Sequence, residues 1–201
     1  DGNAIALQIA AAKSAGVVLG MPRGMMLPSL TAAEQQDLGK TMKWGLPTSA
    51  YHADMPKAVG KYWHNKIHVH MELQPMDADT PDMKNWKAIM DKYGAKTDPR
   101  DTFSQAGHLS ARVATNALLK IKGNIDRRAA HDAFKGIANF RTDMMCAPWY
   151  FGPGERHQPN HEGRAAELIA GGFKTLTQCY RSKDTELADV LESEKKGGLV
   201  N

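Results

Sequence analysis

His64, His68 and His70 fall close together, and residues 67–73 alternate as a strand would. In that reading Ile67, Val69 and Met71 face one way, and His68, His70 and Glu72 face the other. Two imidazoles and a carboxylate on one face are metal-ligand types, and nearby methionines suit copper. A closed site needs three or four converging groups, and the sequence shows no second cluster beside this one. His157 and His161 can join only through folding, so histidines on a half-exposed strand are the simpler reading. The chain carries no Gly-rich phosphate loop, no Gly-x-Ser-x-Gly elbow and no His-Glu-x-x-His helix, and its Ser, His and Asp residues show no triad spacing. The expectation is a protein that is not an enzyme and needs no cofactor.

The elements that position these residues follow a helix–strand grammar. Residues 4–15 read as a helix, with Ile5, Ile9 and Ala12 on one face and Gly16 as the stop. Residues 17–20 follow as a short, wholly apolar, buried strand, as in an α/β sheet. Ligands bind beyond the carboxyl ends of strands in such sheets, which marks the loop Met21-Pro22-Arg23-Gly24. Thr31-Ala32-Ala33-Glu34 has the form of a capping box and predicts a second helix starting there. Residues 44–51 are mixed, a strand end or loop, and residues 55–63 suit a short helix. Thr80 and Pro81 open the clearest helix, with Met83, Trp86, Met90 and Tyr93 as its stripe and Gly94 as its end. Another helix covers residues 104–122 around Leu109, Val113 and Ala117, and Asp126 caps a shorter one through Ile137. Residues 148–154 are loop material. Residues 165–170 and 173–180 form strands joined by Gly171-Gly172, and residues 185–195 form a terminal helix.

With 201 residues and 42% hydrophobic content the chain can bury a real core. Its net charge of +4 is scattered among acidic residues rather than gathered in a stripe, so a nucleic-acid partner is not expected. No apolar run is long enough to span a membrane. The opening Asp1-Gly2-Asn3-Ala4 lacks the pattern of a secretory signal, as a mature or truncated export product also would. Composition leaves Cys146 and Cys179 open between two buried thiols and a bridge.

Four stretches carry a resemblance to a known family. Residues 3–16 followed by 17–22 are similar to the helix, strand and ligand-contacting turn of the type I periplasmic substrate-binding proteins, in their leucine/isoleucine/valine-binding branch. Trp86 to Gly94, closing on Lys92-Tyr93-Gly94, resembles a second helix of that family. Residues 104–118 resemble the long helix whose first turn faces the cleft, and residues 150–160 the closing hairpin region with its His157-Gln158 pair. The resemblance covers most of the chain from Asn3 to Tyr180 and corresponds to the second half of the family fold.

The resemblance implies an α/β fold, a Rossmann-like lobe with a mainly parallel sheet flanked by helices and closed by a C-terminal hairpin. Residues 1–73 would belong to an α/β ligand-binding lobe, 74–140 would continue the fold, and 141–201 would hold the crossover, hairpin and terminal helix. Family members are nearly twice as long, so the expectation is a fragment or an incomplete receptor, lacking the opening strands and half the cleft. The implied function is capture of a small solute for an ABC importer, in the periplasm, with the membrane permease as partner and lobe closure burying the ligand. In the family an acidic group in one turn pairs with the ligand's ammonium; Arg23 stands at that position. A guanidinium grips a carboxylate instead, which points to an organic acid, aromatic acids included. Asp1, Gly2 and Asn3 match a ligand-touching turn before the first helix. Ser104 and Gln105 match the first turn of the long helix, and Ser49 and Tyr51 are added from a polar loop. An oxidising periplasm makes a Cys146–Cys179 disulfide natural, tying the closing segment by roughly 3 kcal/mol.

Overall fold

Asp1 starts the first helix itself: its Oδ1 accepts from the Asn3 amide at 3.0 Å, which places α1 (Gly2–Ala12) ahead of its apolar stripe. Lys13, in the left-handed region at φ 49°, ends it. The computed structural model describes residues 1–151, 162–181 and 188–197, except the side chains of residues 190, 191, 193 and 194. It divides the chain into two units, one of residues 1–71, 100–103 and 164–178, the other of 72–99, 104–163 and 179–201.

The first unit is built on a sheet. Strands β1 (Gly16–Val18), β2 (Lys43–Leu46) and β3 (Ile67–Met71) pair in parallel. β4 (Glu162–Ile169) runs antiparallel to β3, and β5 (Gly172–Thr175) antiparallel to β4 through the hairpin at Ala170 and Gly171. Trp44, Leu46, Ile67, Val69, Met71, Ala166 and Leu168 alternate onto a buried face, as period two demands. The rings of Trp44 and Trp63 pack edge to face with centroids 4.9 Å apart. Between β1 and β2 lies α2 (Arg23–Gln35), which buries Met26, Leu30 and Ala33. It packs on α1 where Gly2 faces Pro28; a Cβ at Gly2 would overlap the Pro28 carbonyl oxygen. A short 3-10 turn, Thr48–Ala50, and α3 (Met55–Val59) join β2 to β3.

Two expectations fail here. Thr31 does not start a helix: it lies inside α2, with its hydroxyl bonded back to the Leu27 carbonyl at 3.1 Å. The strand at residues 17–20 is not buried throughout. It ends at Val18, which is 74% exposed because β1 pairs only with β2 among the described residues.

The second unit is largely helical. It contains α4 (Pro81–Tyr93), α6 (Arg127–Lys135), the terminal α7 (Ala188–Lys196) and most of α5 (Thr102–Leu118). Leu109, Val113 and Ala117 of α5 pack with Leu73, Ile137 and Met145, and Met83 and Trp86 of α4 pack with Met144. Thr80 holds the N-cap position of α4 without capping it. Its hydroxyl donates to Asp143 Oδ1 at 2.6 Å, and Asp143 Oδ2 accepts the Asp82 amide at 3.1 Å. Tyr93 turns to solvent rather than joining the buried stripe, its ring under the Lys92 ammonium. Asp126 caps α6 by accepting from the Ala129 amide at 2.8 Å. Strand β6 (Tyr180–Arg181) pairs with the first residues of β4.

Cys146 and Cys179 are joined in a disulfide with Cα atoms 5.6 Å apart. Cys179 sits between β5 and β6, outside either strand. The expectations on Gly152 to Asn160, on His157 and His161, and on Thr185 and Leu187 lie outside the described residues.

Candidate functional site

The first unit's charged cluster forms where the loops after two parallel strands meet. The chain leaves β1 through Leu19 to Pro22 and enters α2 at Arg23. It leaves β2 through the Thr48–Ala50 turn, reaching Tyr51, His52 and Asp54 before α3. The carboxyl end of a parallel strand is where an open α/β sheet offers loops to a ligand.

Arg23 Nη2 donates to Asp54 Oδ2 at 2.6 Å. Asp54 Oδ1 lies 2.5 Å from His52 Nδ1, and His52 Nε2 lies 2.9 Å from Asp101 Oδ2. The line runs outward from a buried carboxylate: Asp101 is almost wholly covered, whereas the side chains of Arg23 and Asp54 are 31% and 52% exposed. Partial burial pushes the Asp54 carboxyl up. The hydrogen bond and charge of Arg23, with those of His52, outweigh that and hold it below the ordinary aspartate range. Arg23 Nε is shut from solvent and finds no acceptor among the described residues. A buried donor without a partner is uncommon and costly, so this guanidinium has capacity left for an acceptor.

The other predicted ligand residues have different settings. Tyr51 is buried, its ring 4.5 Å from that of Phe173. Ser49 is half-buried in the 3-10 turn. Asp1 spends one oxygen on the α1 cap, Gly2 serves the close approach to Pro28, and Asn3 is exposed. Ser104 and Gln105 occupy the first turn of α5, in the second unit. Gln105 is fully buried; its Nε2 donates to the Gln74 carbonyl at 3.1 Å and its Oε1 has no partner among the described residues. Ser104 borders a mainly apolar cavity of about 670 Å³, with Trp86, Met90, His108, Arg112 and Phe140 also on its wall. Burial, then the charge of Arg112, lowers the His108 pKa against the pull of Asp82. Arg112 itself is paired with Asp82 at 2.8 Å.

Among the described residues nothing joins the histidine strand to make a metal site. His68 is exposed and stands opposite Glu167 in the β3–β4 register, His70 stands opposite Ala165, and His64 Nε2 contacts the Pro56 carbonyl at 3.1 Å. Among the described residues no three His, Cys, Asp or Glu converge as metal ligands.

His52, Asp54 and Asp101 escape the sequence reading. The available signal was Trp44 to Leu46: recognised as a strand, it would have put His52 and Asp54 just past a carboxyl end, like Arg23.

Helices flanking a sheet whose first three strands run parallel, with charged loops at the carboxyl ends of those strands, define an α/β lobe of the type I periplasmic-binding-protein class. The chain belongs to the periplasmic binding protein family, whose profile matches residues 1–173. No match is found among curated proteins. Solved structures confirm the fold. A branched-chain amino acid ABC transporter protein from Thermus thermophilus with bound valine is 19% identical, with a TM-score of 0.70 over 91% of this chain and 50% of that one. A substrate-binding protein of an ABC transporter from Aeropyrum pernix is 13% identical, with a TM-score of 0.77 over 94% and 50%. A fatty acid ABC transporter substrate-binding protein from Thermomonospora curvata is 20% identical, with a TM-score of 0.72 over 91% and 47%. The chain thus spans about half the length of these structures.

Proposed function

We propose that the chain forms part of a solute-binding receptor of an ABC importer, acting outside the cytoplasm and without catalysis, and that its solute is a small organic acid held by Arg23. The observation that carries this reading is the Arg23 guanidinium: partly exposed at the carboxyl end of parallel strands, with Nε lacking an acceptor among the described residues. A planar carboxylate accepts from two guanidinium N–H groups at once, which a lysine ammonium does not match. Valine and fatty acids, named for two of the similar structures, both carry a carboxylate. The Cys146–Cys179 disulfide supports an oxidising compartment. No helix among the described residues is long and apolar enough to cross a membrane; the partner in this reading is the membrane permease of the importer. Ser49, Tyr51, Asp1, Gly2 and Asn3, all of the first unit, complete the set offered to the solute. The chain delivers the solute, and the importer's ATPase supplies the energy.

A thermal-shift screen of amino acids, aliphatic and aromatic carboxylates and divalent metals tests the reading. A ligand that binds only the folded state raises the melting temperature by mass action. Stabilisation by a carboxylate class, lost in Arg23→Ala, is expected. Stabilisation by metals alone, or by carboxylates equally in Arg23→Ala, would contradict it.

A further inference from the structure

Asp54 already occupies the guanidinium that the proposed solute needs. Its Oδ2 accepts from Arg23 Nη2 at 2.6 Å, while its Oδ1 lies on His52, which in turn rests on buried Asp101. We propose that Asp54 is the specificity-determining residue of this site, an internal carboxylate that a solute carboxylate must displace from Arg23. The proposal rests on the solute-receptor reading above.

Three observations argue for exchange rather than for a fixed structural pair. Asp54 is half exposed and Arg23 nearly a third exposed, so their contact lies where solvent and solute reach it. Asp54 holds a second partner through its other oxygen, so leaving Arg23 costs it one contact and not both. Arg23 Nε is shut from solvent and unpaired among the described residues while Asp54 holds the guanidinium, so a shift of the side chain off Asp54 can only gain that donor a partner. Charge gives the selectivity its sign. An isolated arginine attracts any anion, but here one guanidinium faces the carboxylates of Asp54 and, behind His52, Asp101. A small anion that offers only charge gains little against a tethered competitor at high effective concentration. A solute with a planar carboxylate and an apolar body adds bidentate geometry and buried area, and so wins the exchange. The class selected is therefore carboxylates with substantial apolar surface, over acetate and inorganic anions.

Isothermal titration of benzoate and of acetate into the full chain, as wild type, Asp54→Asn, Asp54→Ala and Arg23→Ala, tests the proposal. Thermal unfolding of each variant confirms that it folds, and the exposure of Asp54 makes both of its substitutions tolerable. Removing the competitor is expected to tighten benzoate binding about five- to tenfold and to admit acetate, the scale of one partly exposed ion pair plus relief of like-charge repulsion. Arg23→Ala is expected to lose both. Benzoate binding that is unchanged or weaker in both Asp54 variants, yet abolished in Arg23→Ala, overturns the role of Asp54 and leaves the receptor reading standing. Benzoate binding that ignores Arg23→Ala, or is absent from wild type and both Asp54 variants, overturns the carboxylate reading itself.

Discussion

Arg23 and Asp54, 31 positions apart in sequence, meet at 2.6 Å where the loops after two parallel strands converge. The contact is short and its partners remain partly open to solvent, a combination that holds a side chain in place without hiding it. Such a pair adds little to stability and much to geometry. It fixes the guanidinium at the start of α2, facing the loop after β2.

The pair has a titration signature. Arg23 and His52 hold the Asp54 carboxyl below the ordinary aspartate range despite its partial burial. Carbon-13 NMR of the Asp54 carboxyl should give a midpoint below that range in wild type, moving upward in Arg23→Ala. An unchanged midpoint in the variant would show that Arg23 does not set the charge of Asp54 in solution.

Asp82 should govern acid stability in the second unit. Burial raises its pKa, but hydrogen bonds from Thr142 at 2.6 Å, Arg112 and the Asp143 amide at 3.1 Å outweigh burial, leaving the carboxyl below its ordinary range. A depressed carboxyl contributes stability fully above the unfolded-state value and loses it as pH falls through the folded one. Asp82→Asn is expected to cost about 1–2 kcal/mol in urea unfolding at neutral pH and to flatten the acid limb of the stability profile. A variant as stable as wild type with an identical acid limb would refute the assignment.

Gly2 is expected to tolerate no side chain. The overlap of an added Cβ with the Pro28 carbonyl oxygen forces α1 away from α2. Gly2→Ala should lower stability by roughly 1–3 kcal/mol, the usual cost of overpacking. Since alanine favours a helix intrinsically, a stabilised variant would mean that the two helices do not approach closely at this point.

The disulfide closes a loop of sequence separation 33. Under the chain-entropy account its loss costs roughly 3–4 kcal/mol, through the unfolded chain. Denaturant unfolding with and without reductant should show that drop, and a paired Cys146→Ser, Cys179→Ser variant should match the reduced protein. Equal midpoints would contradict the bridge or the account of its effect.

Local pattern reveals much of this fold and little of its site. The alternation from Ile67 to Met71, the α4 stripe at Met83 and Trp86, and the α5 stripe at Leu109, Val113 and Ala117 all bury as their periods dictate. Thr31 misleads because its hydroxyl satisfies the preceding turn as readily as it would cap a new one. Val18 misleads because an apolar strand reads the same at a sheet's edge as at its centre. Arg23 can be marked from the run before it, but its partners cannot. Asp54 reaches it across the whole of α2 and β2, and Asp101 reaches His52 from the entrance to α5, contacts that no local periodicity encodes.

The central claim is that Arg23 receives the solute's carboxylate, and the side-chain Nε–H resonance of Arg23 reports on it directly. In a titration with benzoate followed by proton–nitrogen NMR, that resonance should move as Nε gains an acceptor, and should saturate with the dissociation constant found by calorimetry. A titration in which the Arg23 Nε–H stays fixed while Arg112, beside the second unit's cavity, moves and saturates would contradict the claim.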